Sequence, residues 1–174
     1  MLNTAKYSAV EVLRNGRKVE IRALRIDDRA DLLDAVERTG AQSLYRRFFG
    51  AKRDLSEKEI EFFLNIDFVN HVALVATVEE GSRAVIVGGG RYIMVRPGSA
   101  EVAFVVVDEY QGLGIGRALM RHLVVIARDA GLEELVAEVL PDNMPMRKVF
   151  EKSGLGCNMK GDGPIVHVVL RLSE

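Results

Sequence analysis

The sequence predicts a single α/β domain of the mixed (α+β) kind, with a mostly antiparallel central sheet and helices on both of its faces. Three observations carry this expectation. A chain of 174 residues is the size of one domain and can bury roughly 70% of its unfolded surface. Strand-type and helix-type patterns alternate along it in the order β-β-α-α-α-β-β-β-α-β-α-β, with a further strand suggested near Cys157. The three successive strand patterns in the middle are joined by short turns, which makes them antiparallel neighbours. Residues 1–9 are expected as an N-terminal tail and residues 10–174 as the domain, since no repeat, low-complexity stretch or linker divides them.

The elements follow from local chemistry. Val10–Leu13 and Val19–Leu24 flank Arg14-Asn15-Gly16-Arg17, and Asn-Gly predicts a hairpin with a type I′ turn. Asp27-Asp28 offers an N-cap to a helix through Leu32, Leu33 and Val36 that stops at Gly40. Ser43–Phe49 is a short helical piece. Its Arg46-Arg47 pair fits either a solvated face or contact with an acidic substrate or ligand phosphates. Ser56 with Glu59 three residues on forms a capping box for a helix through Ile60, Phe63 and Leu64. His71–Val78 and Ala84–Val95 are strands joined by Glu79-Glu80-Gly81-Ser82. Gly88-Gly89-Gly90 within the second strand predicts a bulge or a close approach by another backbone or a ligand. After the turn Arg96–Ser99 comes a strand of apolar, mostly β-branched residues from Val102 to Val107. A long helix follows on Leu119, Leu123, Ile126 and Ala127, ending at Gly131. Glu133–Leu140 is a strand broken by Pro141-Asp142-Asn143. A helix on Met146, Val149 and Phe150 ends at Ser153-Gly154, and Ile165–Leu172 is the last strand.

Composition excludes several function classes. Net charge is −1 and pI about 6.3, so no global field favours nucleic acid or an anionic membrane, and neither is expected as a partner. No apolar run reaches the roughly 18 residues of a membrane span, and the N-terminus lacks a signal-peptide core. A lone cysteine, Cys157, rules out an internal disulfide and fits a reducing compartment, so a cytoplasmic location is expected. His71, His122 and His167 have no metal-ligand spacing; structural roles and no bound metal are expected.

The chemistry concentrates at residues 101–117. Between the strand and the long helix lie Gly112, Gly114 and Gly116. The first N–H groups of a helix lack intrahelical partners and carry partial positive charge, and missing Cβ atoms let a bulky anion approach them. The same glycines also suit a tight turn that needs only their dihedral freedom. G-x-G-x-G spacing differs from the dinucleotide fingerprint, and no Gly-Lys-Ser/Thr ending marks a nucleotide P-loop.

The run Gln111-Gly-Leu-Gly114-Ile-Gly116 resembles the Q/R-x-x-G-x-G/A signature of the GNAT superfamily of acyl-CoA N-acyltransferases. A second element, Asn143-x-x-Met146-x-x-Val149-Phe150-x-Lys152-x-Gly154-Leu155, resembles that superfamily's N-x-x-A-x-x-L-Y-x-K-x-G-F. Ser43–Phe49, Asn70–Ala76 and Ala100–Val106 are further similar to the catalytic domain of bacterial Pat-type protein lysine acetyltransferases. Some of those proteins carry a synthetase-like or cyclic-nucleotide-binding domain, which is not expected within this length.

The resemblance implies a sheet splayed at an acyl-CoA site, with acetyl-CoA as co-substrate. Backbone N–H groups of Gly112, Leu113, Gly114, Ile115, Gly116 and Arg117, following Gln111, would hold the pyrophosphate, with Arg117 adding charge. Val105, Val106 and Val107 would pair with the pantetheine arm, and Asn143, Met146 and Phe150 would border it. Asn143 reads equally as a turn residue or N-cap. Acyl transfer needs a neutral amine, whereas a lysine ammonium has a pKa of about 10.4, so a general base is required. Glu101, the lone acid of its strand, is the candidate base; a polar residue at a solvent-facing strand end is its other reading. Phe150 stands where many such enzymes have a thiolate-protonating tyrosine, leaving water, Tyr110 or Cys157 for that proton. The implied function is acetyl transfer from acetyl-CoA to a primary amine, with protein lysine preferred as acceptor. Two readings stand beside it, acetylation of a polyamine, amino acid or antibiotic, and a non-catalytic acyl-CoA sensor. A homodimer is a form such proteins take.

Overall fold

The computed structural model describes residues 2–48 and 55–173. Phe49, read from the sequence as the end of a helix, lies outside the described residues, as do Met1 and Glu174. Eight strands form one sheet: β1 (Ser8–Val12), β2 (Lys18–Ala23), β3 (His71–Glu80), β4 (Arg83–Arg96), β5 (Ser99–Val106), β6 (Glu134–Val139), β7 (Gly156–Asp162) and β8 (Ile165–Arg171). Their spatial order is β1-β2-β3-β4-β5-β6-β8-β7. Every pairing is antiparallel except β5 with β6. The helices are α1 (Arg29–Glu37), α2 (Ala41–Phe48), α3 (Glu57–Leu64), α4 (Ile115–Asp129) and α5 (Met144–Glu151). This is the mixed, mostly antiparallel α/β domain that the sequence predicts.

The one parallel pairing positions everything that follows. Ser99, Ala100 and Glu101 match Glu134, Leu135 and Val136, and there the ladder ends. β5 nevertheless keeps its pairing with β4 as far as Val106, and β6 keeps its pairing with β8 as far as Val139. Each strand thus stays with its outer neighbour while the two separate from one another, and a cleft opens in mid-sheet.

Strand periodicity assigns the faces. A Cβ on Gly88 would lie 3.1 Å from Ile115 Cγ2 of α4, and one on Gly90 would lie 2.7 Å from the Phe104 ring and 3.3 Å from Leu123. The even positions of β4 therefore lie under α4, whose buried stripe includes Ile115, Leu119, Leu123 and Ile126. Alternation turns Arg91 and Ile93, with Glu101 and Ala103 across the ladder, to the opposite face beside α2 and α3. The expected bulge lies beside these glycines, where the register with β3 slips between Ala76 and Thr77; another backbone, the Val105 carbonyl, comes close at Gly88, whereas the space at Gly90 is taken by the side chains of Phe104 and Leu123.

Several local expectations are corrected. The β1–β2 hairpin is not a type I′ turn. Leu13 N–H donates to the Arg17 carbonyl around a three-residue loop, and Gly16 alone takes a positive φ, 83°. That is the G1-bulge arrangement, which needs one left-handed residue rather than two. Ser8 and Ala9, assigned by sequence to the tail, pair with Arg22 and Ile21. Asp28 precedes α1 without capping it through its side chain, because its carboxylate is taken by Arg22 in a buried bidentate pair at 2.8 and 2.9 Å. β7, only hinted at in the sequence, is an edge strand with alternating exposure, and Asn158, Lys160 and Asp162 blur its pattern.

Candidate active site

The cleft between β5 and β6 has a volume of about 740 Å³, within the range of a small-molecule or cofactor site. Val102–Val106 forms one wall and Ala137–Val139 the other. The glycine turn and the start of α4 close one end, and α5 covers a flank with Asn143, Met146 and Phe150.

At the glycine turn, Gly112 and Gly114 have φ of 80° and 98°, a region L-residues with a Cβ enter only at a cost. A Cβ on Gly112 would meet no protein atom within 4 Å, so the space above the turn is open. Gly114 is the N-cap of α4 and offers no side-chain cap; the first N–H groups of the helix remain available to a ligand. Gly116 has an ordinary φ, and a Cβ there would lie 3.7 Å from Val149 of α5. Arg14 braces the turn from the β1–β2 hairpin. Its N–H donates to the Leu113 carbonyl at 3.3 Å, and Nη1 donates to the Gly112 carbonyl at 3.2 Å. Arg14, Arg46, Arg117, Lys148 and Lys152 all border the cleft, against the carboxylates of Glu101 and Glu138. A chain of net charge −1 thus gathers cations where a polyphosphate would lie. These groups fit the phosphates of coenzyme A.

The sequence-selected residues do not all reach the cleft. Val105, Val106, Gly112, Gly114, Ile115, Gly116, Arg117, Asn143, Met146 and Phe150 border it. Val107 does not: it is 1% exposed, and its N–H donates to the Val87 carbonyl at the β4 bulge. Leu113 packs on the core instead. Gln111 borders the cleft, but its amide Nε2 donates to Ser43 Oγ and the Val106 carbonyl, both at 3.0 Å. It anchors the end of β5 to α2. Asn143 Oδ1 accepts the Met146 N–H at 3.3 Å, so the N-cap role is filled while the amide nitrogen keeps its hydrogens for the cleft.

Glu101 sits at the last position of β5 that pairs with β6, at the point where the strands part. Its carboxyl stays open to the cleft. Partial desolvation by the walls raises its pKa above the ordinary carboxylate value, the negative charge of Glu138 across the split raises it further, and Arg47 pulls it down. The α2 arginines, for which the sequence left a solvated face open, both turn to the cleft. Arg46 Nη2 donates to the Asp142 carbonyl across its mouth at 3.4 Å. Arg47 borders both this cleft and a second cavity of about 390 Å³ on the α3 side, and Glu101 and Ala103 are shared between the two cavities. Arg14, Arg91 and Glu138 carry no site signal in the sequence, whereas the Arg46-Arg47 pair is read there as either a solvated face or a contact for an acidic substrate or ligand phosphates. Those three show only charge on otherwise ordinary turns and strands, and pairing distant in sequence brings them together.

Phe150 is 1% exposed and packs on Phe104 with ring centroids 6.2 Å apart. Neither alternative proton donor is placed to replace a tyrosine there. The Tyr110 hydroxyl donates to Glu80 Oε2 at 2.6 Å and accepts from Arg17 at 2.9 Å. Cys157 lies on the edge strand β7, outside the cleft wall. His71 accepts from Arg91 at 2.8 Å. His122 lies 2.5 Å from the Tyr7 hydroxyl and 2.6 Å from Glu11, and His167 faces Glu138 and Asp162. Among the described residues no three His, Cys, Asp or Glu side chains form a metal-binding group. No helix there is long and apolar enough to cross a membrane.

A sheet split beside a glycine-turned helix N-terminus, with an acid at the fork, defines an acyltransferase cleft of the GNAT kind. Accordingly, the family model of the Acetyltransferase (GNAT) family matches residues 38–155, and the chain belongs to that family. It is 34% identical over 146 residues to Acetyltransferase Pat of Mycolicibacterium smegmatis, covering 82% of this chain and 42% of that protein. The chain thus spans less than half the length of that relative. It is also 34% identical over 139 residues to Acetyltransferase PA5475 of Pseudomonas aeruginosa, covering 79% and 75% of the two chains. The solved GNAT domain of S. lividans PAT superposes with a TM-score of 0.85 at 33% identity, covering 94% of this chain and 96% of that one.

Proposed function

We propose that this chain transfers an acetyl group from acetyl-CoA to the side-chain amine of a protein lysine, in the cytoplasm, with Glu101 as general base. The observation that carries the reading is the place of Glu101, shared between a cation-rimmed cleft suited to coenzyme A and a separate cavity suited to an acceptor. Protein lysine is favoured by the resemblance of Ser43–Phe49, Asn70–Ala76 and Ala100–Val106 to Pat-type catalytic domains. The acceptor cavity agrees with it, since Phe62 and Phe63 offer apolar surface to a four-carbon stem.

The chain's own groups then divide the work. The N–H groups at the start of α4, with Arg14 and Arg117 beside them, hold the pyrophosphate. The edge of β5 that β6 abandons after Glu101 orients the pantetheine arm and brings the thioester carbonyl to the fork. Glu101 takes a proton from the acceptor ammonium, and the freed nitrogen attacks the carbonyl carbon. The C–S bond breaks as the C–N bond forms, and the second proton that the nitrogen loses passes to water. Phe150 offers no proton to the sulfur; a thiol pKa of about 8.5 makes the thiolate a tolerable leaving group, and water completes its protonation.

The test is Glu101→Gln. Acetyl-CoA binding, read by calorimetry, should be retained, and turnover, read as thiol release with a lysine acceptor, should fall about 10²–10⁴-fold, the usual contribution of a general base. Turnover within threefold of the parent removes Glu101 from the base role. Mass spectrometry of a lysate incubated with acetyl-CoA identifies the acceptors, and acetylation confined to small amines overturns the protein-lysine reading.

A further inference from the structure

The second cavity, of about 390 Å³, lies between α3 and the β4–β5 face, and its wall sets Arg47, Lys58 and Arg91 against the carboxylates of Glu59 and Glu101. Phe62 and Phe63 border it as well. Arg91 is held in place from behind. Its Nη1 donates to the Phe63 carbonyl at 3.1 Å and to His71 Nε2 at 2.8 Å, and its guanidinium lies 4.6 Å from the centroid of the Phe63 ring. Arg47 approaches the same ring at 5.8 Å, so two guanidinium groups share one phenyl.

None of the partners of Arg91 is anionic. Among the described residues it meets a carbonyl, a ring and a histidine, and no carboxylate. His71 supplies no balancing charge. Burial, then repulsion from Arg91, push its pKa down to about 4, so it is neutral at physiological pH. Burial, then repulsion from Arg47, bring Arg91 itself down to about 9. A half-buried guanidinium with no counter-ion among the described residues is costly, and here the cost is placed on the wall of a cavity that opens on the catalytic carboxylate. Of the two acids in that wall, Glu101 is the base, and Glu59 accepts the Ser56 N–H at 3.1 Å in the α3 capping box.

We propose that Arg91, with Arg47 beside it, makes this cavity an acceptor pocket selective for an amine that carries a carboxylate a few bonds away, in a polypeptide an Asp or Glu adjacent to the reactive lysine. The inference rests on the protein-lysine reading above. A carboxylate from the acceptor fits the planar fork of Arg91 and draws the lysine toward Glu101. A second cation near the reactive amine meets the basic wall and is disfavoured, so polyamines are poor acceptors. The same wall penalises the ammonium form of the entering lysine, which favours the neutral nucleophile that the reaction requires.

The experiment measures kcat/KM with acetyl-CoA on the intact chain for capped peptides of equal length holding one lysine among alanines, with a Glu or an Arg placed at each neighbouring position in turn. The best Glu peptide should exceed the all-alanine peptide about tenfold, the usual scale of one charge-assisted hydrogen bond, and the Arg peptides should fall below it. In Arg91→Gln the Glu-to-alanine ratio should collapse toward one. Arg91→Lys, which keeps the charge without the fork, should retain part of it, and acetyl-CoA affinity verifies that each variant is folded. Glu and alanine peptides within twofold of each other on the parent chain overturn the proposal and leave lysine acetylation standing. If no peptide is acetylated, the lysine reading fails, and 4-aminobutyrate, butylamine and putrescine decide the pocket. Preference for 4-aminobutyrate, lost in Arg91→Gln, upholds the anion selection, whereas equal rates, preference for putrescine or no turnover at all refute it.

Discussion

The glycine turn admits two explanations, dihedral need or an anion on the helix N-terminus, and a matched pair of substitutions separates them. Gly112 and Gly131 both have φ of 80°, and a Cβ on either would meet no protein atom within 4 Å. Alanine at each position therefore carries the same backbone penalty without any clash, about 1–2 kcal/mol for a left-handed L-residue. For a chain of this size that lowers Tm by about 2–8 °C. The two differ in surroundings. Gly112 borders the acyl-CoA cleft before α4, whereas Gly131 follows the far end of that helix.

The binding prediction follows from that difference. A methyl group on Gly112 holds a pyrophosphate off the N–H groups beneath it, and loss of one hydrogen bond to a charged group is worth about 1.5–3 kcal/mol. Acetyl-CoA Kd, measured by calorimetry at a temperature where both variants are folded, should rise about 10–100-fold in Gly112→Ala. It should stay within twofold of the parent in Gly131→Ala, while both variants melt lower by similar amounts. Equal Kd values in the two variants would show that Gly112 serves only the turn, and the assignment of the phosphates to this loop would fall.

Two further outcomes can be measured directly. Because Glu138 contributes to the raised pKa of Glu101, Glu138→Gln should move the acid limb of the kcat/KM profile to lower pH; an unmoved limb separates it from Glu101. Asp28→Asn should cost about 3 kcal/mol at pH 7, since it breaks a buried bidentate pair with Arg22. Burial opposes ionisation of Asp28, but the Arg22 hydrogen bonds and the Arg25 N–H outweigh it and hold its pKa below the ordinary value. Its stabilisation is therefore present above the unfolded pKa of about 3.9 and lost as pH falls through the folded one. The gap between parent and variant in urea titrations should shrink in that acid window, and a gap independent of pH would contradict the pairing.

What could be read from the sequence is what acts locally. The strand, glycine turn and helix from Glu101 to Gly131 are set by β-branching, positive φ and helical spacing, all of which are visible within a few residues. Cations brought from far away are not. Arg14 reaches Gly112 across 98 residues, and Arg91 and Arg47 both reach the Phe63 ring although β4, α2 and α3 are separate elements. Side-chain direction was also hidden. Val107 and Gln111 fit the pattern by their place in it, but the β4 bulge claims the N–H of Val107, and Ser43 with the Val106 carbonyl claims the amide of Gln111.

The position of Glu101 ties the fold to the chemistry. It is the last residue of β5 that β6 still pairs with, so its backbone is fixed from both sides, by Ile93 and Val136. One residue further the ladder is gone and the cleft begins. A carboxylate placed deeper would sit on the strand edge that β6 no longer pairs; one placed at Ser99 or Ala100 would be sealed within the closed sheet. At the fork, Glu101 borders both cavities from a backbone clamped by two strands, the rigid support that the proposed proton transfer would require. The split of the sheet opens the cleft and, at its apex, leaves Ser99–Glu101 as the stretch of β5 braced on both edges, from which, on the proposed reading, one carboxylate would reach donor and acceptor together.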